Sequence, residues 1–351
     1  MALPRGTSPA LAKLVVLAVV LGLVVYFDIV SPDAVAAVFA QPRAAAAALM
    51  LIFLGAQLNV LRWHLLLRWQ GSPLRFGQTW QISYISYFIG SFLPGAAGSD
   101  ALRALYIHRE CPETRLPAFL TIVLDRILGL VALLVLMLGL AAAMPATVIG
   151  EPVLAILVLS ATAMVLALVA ALPLASWLHR RLLPWLRRLG WSRIARGADR
   201  LGEVMTMALA GWRSQPWRMV LCLGIGVAGH GFVAAAIVVI ARKIGIDALS
   251  TVAVGFAGTL AVLANHLPIT PGGLGVGETS FAQICRVLAP GSAAMAYGSV
   301  IFVFRLITLL STLPGAVALL VFRHRGGPAQ AAANARSMAD STTSTPSSSV
   351  G

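Results

Sequence analysis

Two stretches decide the fold: "PITPGGLGVGETSFA", residues Pro268–Ala282, and "FLPGAAGSDALRALYI", residues Phe92–Ile107. The first sits among apolar residues, yet it carries two prolines, four glycines and one carboxylate, Glu278. The second has the same order: an apolar run, Pro-Gly, small residues, then an acid, Asp100. Helix breakers in a membrane-like stretch need a physical reason. A broken backbone in hydrocarbon leaves N–H and C=O groups unpaired, which is tolerated only where protein or a water-filled cavity satisfies them. Pro94-Gly95 and Pro271-Gly272-Gly273, with Gly98 and Gly275 beside them, are therefore expected to face protein or water rather than lipid.

The rest of the chain supports a membrane setting. It has 351 residues, 59% hydrophobic and 11% charged, with a mean hydropathy of +0.89. A soluble domain carries about 25% charged residues, so this composition excludes one. Hydrophobic peaks fall on residues 14–30, 44–61, 78–94, 117–140, 152–175, 219–241, 251–269 and 294–322. A full helical span needs about 20 apolar residues, and most peaks are long enough. The first peak reads as an uncleaved span rather than a signal peptide. The Ser/Thr/Pro-rich tail has no apolar period, and residues 324–351 are expected to be a disordered cytoplasmic tail behind a membrane domain, 1–323.

Charge sets the topology. The net charge of +14 is better read as cytoplasmic Lys/Arg than as a nucleic-acid footprint. Arg62, Arg68 and Arg75 follow the second peak, and Arg103, Arg109 and Arg115 the third. Nine arginines lie between the fifth and sixth, from Arg180 to Arg218; Arg323 and Arg325 close the last. If all eight peaks crossed the membrane, the Arg103–Arg115 loop and the nine-arginine loop would both fall outside, against the positive-inside rule at its strongest point. If the third and seventh peaks are re-entrant hairpins, every cluster is cytoplasmic and only Arg242 and Lys243 disagree. The expected fold is thus an all-α polytopic membrane protein. It has about six full spans and two re-entrant, Pro-Gly-broken hairpins, with both termini cytoplasmic.

The order span, span, hairpin, span occurs twice, over about 11–144 and 150–323, with opposite sidedness. That is an inverted-topology repeat, the plan of many secondary transporters, whose substrate sites lie on discontinuous helices at the repeat interface. The bland alternative is that Pro-Gly pairs are common loop punctuation.

Charged residues at membrane depth are costly, pair with one another and mark function. Here they are Asp100, Arg103, Asp125, Arg126, Glu278 and Arg305, joined by Asn265 and His266 next to the second break. Asp100 and Arg103 are three apart and share a helix face, which also fits a cap plus ion pair. Asp125 and Arg126 point about 100° apart, so each needs a partner from another segment. Asp125–Arg103 fits, as does Glu278 with either Arg126 or Arg305. The glycines near Glu278 fit two roles: opening backbone N–H groups to an anionic headgroup, or letting helices pack closely. Glu278 itself would repel a phosphate unless paired. It positions an arginine, takes up a proton, or meets a cationic headgroup. The basic, tryptophan-bearing segment Leu178–Arg200 is expected to lie on the cytoplasmic leaflet. Cys111, Cys222 and Cys285 form no disulfide framework. No metal, nucleotide, cofactor or catalytic motif is present.

"FLPGAAGSDALRALYI", "TIVLDRILGLVALLVL" (Thr121–Leu136), "PITPGGLGVGETSFA" and "VFRLITLL" (Val303–Leu310), in this order, resemble the lysylphosphatidylglycerol synthase transmembrane family. The likeness runs from about Leu11 to Phe322. One departure is Gly98-Ser99-Asp100, where the family usually has Gly-Gly before the aspartate. The resemblance implies a bacterial inner-membrane, flippase-like protein without the soluble synthase domain of two-domain members. Its expected partners are membrane lipids: anionic or aminoacylated phospholipid, or lipid-linked glycan. The expected function is movement of such a lipid between leaflets. The alternatives are a membrane-embedded enzyme for lipid or glycan headgroups and an accessory subunit of one.

Overall fold

The computed structural model describes residues 31–92, 97–111, 114–188, 214–266, 274–291 and 297–325. The first hydrophobic peak, most of the segment after Arg188 and the tail lie outside them. So do Pro94, Gly95, Pro271, Gly272 and Gly273. Among the described residues the protein is helical throughout, with no strand.

Prolines open many of the helices, because the first turn has no use for their missing N–H. Pro32 starts α1 (Pro32–Phe39), Pro42 starts α2 (Pro42–Trp69), and after α3 (Phe76–Gly90), α4 (Ala97–Glu110) and α5 (Arg115–Ala142), Pro145 starts α6 (Pro145–Gly150). Pro152 starts α7 (Pro152–Arg188) and Pro216 starts α8 (Pro216–Lys243). The chain continues through α9 (Thr251–Ala264), α10 (Val276–Leu288), α11 (Gly298–Ser311) and α12 (Leu313–Arg325). Long apolar windows on α2, α5, α7, α8 and α11–α12 can each cross a membrane, which makes this a multi-pass membrane protein.

The third and seventh peaks behave differently. Helix α3 has 15 residues and α9 has 14, about 22 Å each, against a hydrocarbon core of about 30 Å. Each packs against the helix that follows it. In the first pair, a Cβ on Gly90 would lie 2.9 Å from Ser99 Cβ at one end, while Ser72 Oγ and Cys111 Sγ meet at 3.5 Å at the other. Helices α3 and α4 are therefore antiparallel. In the second pair, a Cβ on Gly277 would lie 2.5 Å from Asn265 Oδ1. Each crossing places a glycine against a larger residue, but on opposite arms.

The centre is the contact of α2 with α8. A Cβ on Gly55 would lie 2.8 Å from the Gly229 carbonyl, so the two backbones touch. Around this seam the neighbours match in pairs. Helix α2 packs on α3, α5 and α11; α8 packs on α9, α11 and α5. Likewise α4 packs on α5 as α10 does on α11.

The last peak, expected as one span over 294–322, is one candidate span over Gly298–Leu320, with the helix interrupted at Thr312. Thr308, Ser311 and Thr312 turn their hydroxyls onto the Phe304, Thr308 and Leu309 carbonyls, and Pro314 removes an N–H from the next turn. Such back-bonding and a proline bend a helix. The bend lays α12 on α3, where Gly315 has no room for a Cβ beside the Tyr84 carbonyl.

The two ends differ in charge. Trp69 at the end of α2 meets Trp217 at the start of α8 edge-on, and Arg218 sits over both rings. With Cys111 beside Ser72, this gathers Arg68, Arg75, Arg109 and Arg218 at one end. At the other, Arg242 donates to the Ile246 and Leu249 carbonyls at 2.6 and 2.8 Å. It closes the end of α8, which accounts for a cation on the face with few. Along α7, Ile156, Leu159 and Leu166 are exposed, an outward apolar face suited to lipid.

Candidate functional site

Asp100 sits in the first turn of α4 and Arg103 one turn on. Asp125 and Arg126 lie in the middle of α5, Glu278 in the first turn of α10, and Arg305 in the middle of α11. The structure brings them together as one fixed network and two pairs.

The fixed network contains a residue that the loop count misplaced. Arg62 does not lie in a cytoplasmic loop: α2 continues to Trp69, and Arg62 is buried within it. Its Nε donates to Asp125 Oδ1 at 2.8 Å, and Arg103 Nη1 donates to Asp125 Oδ2 at 3.0 Å. One carboxylate thus bridges two guanidiniums from different helices. Arg103 Nη2 also donates to the Tyr87 hydroxyl at 3.0 Å, and its guanidinium lies 4.5 Å from the centre of the Trp63 ring. Trp63 is held in turn by an indole hydrogen bond to Thr121 at 3.1 Å. All three ionic side chains are 3–6% exposed. Glycines make the room: a Cβ on Gly226 would lie 2.8 Å from Arg62 Nη1, and one on Gly129 3.1 Å from Nη2. The only sequence sign of Arg62 was its place directly after an apolar run too short to end there.

The first pair joins α4 to α5. Arg126 grips Asp100 with two parallel hydrogen bonds, Nε to Oδ2 at 2.6 Å and Nη2 to Oδ1 at 2.7 Å. Arg126 Nη2 also donates to Ser99 Oγ at 2.9 Å, so the serine of Gly98-Ser99-Asp100 is a ligand. Asp100 therefore does not pair with Arg103 on its own helix face. Gly98 lies inside the first turn of α4 rather than ahead of it.

The second pair joins α10 to α11. Arg305 Nε donates to Glu278 Oε1 at 3.1 Å and Nη2 to Oε2 at 3.4 Å. Glu278 Oε2 also accepts from the Gly275 N–H at 3.0 Å. Gly275, at φ +81°, makes the turn that α10 needs to start there. Arg305 Nη2 reaches Asn265 Oδ1 at 3.3 Å. His266 follows and donates from Nδ1 to the Val262 carbonyl at 2.8 Å. Through Asn265, the end of α9 thus meets the second pair.

The pairs are equivalent in position. Each joins an acid in the first turn of a hairpin's second helix to an arginine in the next span, 26 and 27 residues on. Both arginines are partly exposed, 31% for Arg126 and 22% for Arg305, while Asp100 is 23% exposed and Glu278 is sealed. The halves differ beside them: Arg103 corresponds to Phe281 and Asp125 to Phe304, so apolar packing replaces the three-charge network.

The arrangement is a set of guanidiniums from neighbouring helices, each closed on a carboxylate. The sequence matches, over residues 10–315, the family described as Lysylphosphatidylglycerol synthase TM region. The chain belongs to that family. No curated protein matches it. Membership in the lysylphosphatidylglycerol synthase transmembrane family makes this a membrane protein related to lipid headgroup modification or transport.

Proposed function

We propose that the protein is a lipid flippase, moving a polar-headgroup lipid between the leaflets of a bacterial inner membrane. The observation that carries this reading is the equivalence of the Arg126–Asp100 and Arg305–Glu278 pairs about the α2–α8 seam. Equivalent charged sites on short, broken helices at the junction of two matching halves fit an inverted repeat that alternates its access. The short helices α3–α4 and α9–α10 act as re-entrant hairpins. The headgroup passes between them while acyl chains stay in lipid. The arginine-rich end faces the cytoplasm. The fixed Arg62–Asp125–Arg103 network holds the first hairpin against α2 and α5 as the frame. The partly exposed arginines of the two pairs are the parts that meet cargo.

The test is reconstitution of the full chain in liposomes with fluorescent lipids of several headgroups. Leaflet exchange and chemical turnover are scored together, for wild type and Glu278→Ala. Exchange without turnover, lost in the variant, is expected. New lipid species would instead favour a headgroup-modifying enzyme, and neither signal would leave the role of an accessory subunit.

A further inference from the structure

We propose that the outer face formed by α2 with α11 and α12 is the seat of the chain's own first apolar segment, Leu11–Val30, which lies outside the described residues.

The face begins as a groove. At the bend, a space of about 290 Å³ opens between α2 and α11–α12, lined by Leu49, Met50 and Phe53 on one side and Leu310, Ser311 and Pro314 on the other. The Ser311 hydroxyl donates to the Thr308 carbonyl at 2.6 Å, so the lining is apolar in effect. Met50 and Leu310 are exposed. Past the bend the surface continues: Leu313, Val317 and Leu320 are exposed in turn, at the 3- and 4-residue steps of a helical stripe. Lipid chains, a second copy or the chain itself can cover such a face.

Three observations favour the chain itself. The first is where the segment ends. The Ser31 N–H donates to Ser299 Oγ at 2.8 Å, and Ser31 Oγ accepts from the Ala34 N–H at 3.4 Å as the cap of α1. Helix α1 is fixed in turn, with Val38 buried in the main core. Whatever precedes Ser31 therefore leaves the fold at the start of α11. The second is direction. Ser299 and Leu310 stand three turns apart on α11, within about 20° of each other around its axis. Phe302 and Leu306, half-buried, fill the same face between them. The exit point thus heads the stripe that leads down to the groove. The third is length and chemistry. A helix of this segment's length runs about 30 Å, which matches both the hydrocarbon core and the path along α11–α12 from Ser299 to Leu320. Its charges, Lys13 and Asp28, stand near its two ends, and the stretch between them is uncharged, as close packing against an apolar groove requires. The face between α2 and α11 is then closed to membrane lipid, and α11, which carries Arg305, is braced from its outer side.

The test is disulfide cross-linking of the full chain in native membranes. Counting back from Ser31 at the helical rise places Val20 level with Leu310. Leu310→Cys is combined in turn with cysteine at each position from Val16 to Val24, and Met50→Cys repeats the series should Leu310→Cys fail to fold. The native cysteines are buried. Cross-links within one chain are expected, strongest near Val20 and recurring three or four residues away, with none from Ile156→Cys on the outward face of α7. A spin label at Met50 is expected to be several-fold less accessible to membrane-dissolved oxygen than one at Leu159, also on α7. Cross-links between chains would overturn the proposal and put a second copy in the groove. No cross-link within the chain from either site would also overturn it, and equal oxygen access at Met50 and Leu159 would then assign the groove to lipid chains.

Discussion

At the scale of the residue, the decisive side chain is Asp125. It alone compensates Arg62 and Arg103 within a buried site. Removing the shared partner of a buried network leaves uncompensated charge and costs about 3–5 kcal/mol. Asp125→Asn is therefore expected to lower stability in detergent by about that amount, read by thermal or denaturant unfolding. Arg62→Met is expected to cost clearly less, since Asp125 keeps Arg103 and the remaining pair is neutral. An equal loss from both would show that the network does not act through charge balance. Glu278 sits in a different balance: its partner Arg305 also has Asn265, so Glu278→Gln is expected to affect lipid handling more than folding.

At the scale of the element, glycines decide which helices touch. Gly55 on α2, Gly226 on α8 and Gly315 on α12 each stand where a Cβ meets a neighbour: the Gly229 carbonyl, Ala132 with Arg62, and the Tyr84 carbonyl. Overpacking costs about 1–3 kcal/mol. Alanine at each of these positions is expected to destabilise by that much or more, with Gly315→Ala the worst because its backbone obstacle, the Tyr84 carbonyl, is the nearest of the three. Gly139 on α5 and Gly224 on α8 meet nothing within 4 Å. Alanine there is expected to be neutral or stabilising by up to about 1 kcal/mol, from helix propensity. Unfolding of the five variants side by side checks the order. The short helices α4 and α10 were legible as separate elements because prolines, glycines and an acid recur in the same order at their starts. The bend at Thr312–Pro314 was not: its hydroxyls are as common in straight spans, and the packing of α12 on α3 that follows from it is a tertiary contact.

At the scale of the whole molecule, the proposed sidedness rests on the gathering of Arg68, Arg75, Arg109 and Arg218 at one end and the capping role of Arg242 at the other. Cysteine placed at exposed Glu110 is expected to be labelled from the cytoplasmic side, and cysteine at exposed Asp247 from the opposite side. The native cysteines are buried and leave the signal clean. Labelling of residue 110 from the outside would reverse the hairpin and the assignment of its face.

Composition, hydropathy and the placement of breakers are local properties. They determined by themselves that this is a helical membrane protein, and they singled out Asp100, Asp125, Glu278 and their arginines as charges set among apolar helices. Partner choice is not local. Asp100 and Arg103 share a helix face, yet each turns to α5, because a span crossing that face supplies a guanidinium and a carboxylate one residue apart. Glu278 had two candidate arginines, and only the packing of α10 on α11 selected Arg305. Arg62 read as a loop charge because hydropathy falls at any arginine. Only the tertiary structure placed Asp125 against it, where pairing removes the cost of burying a charge.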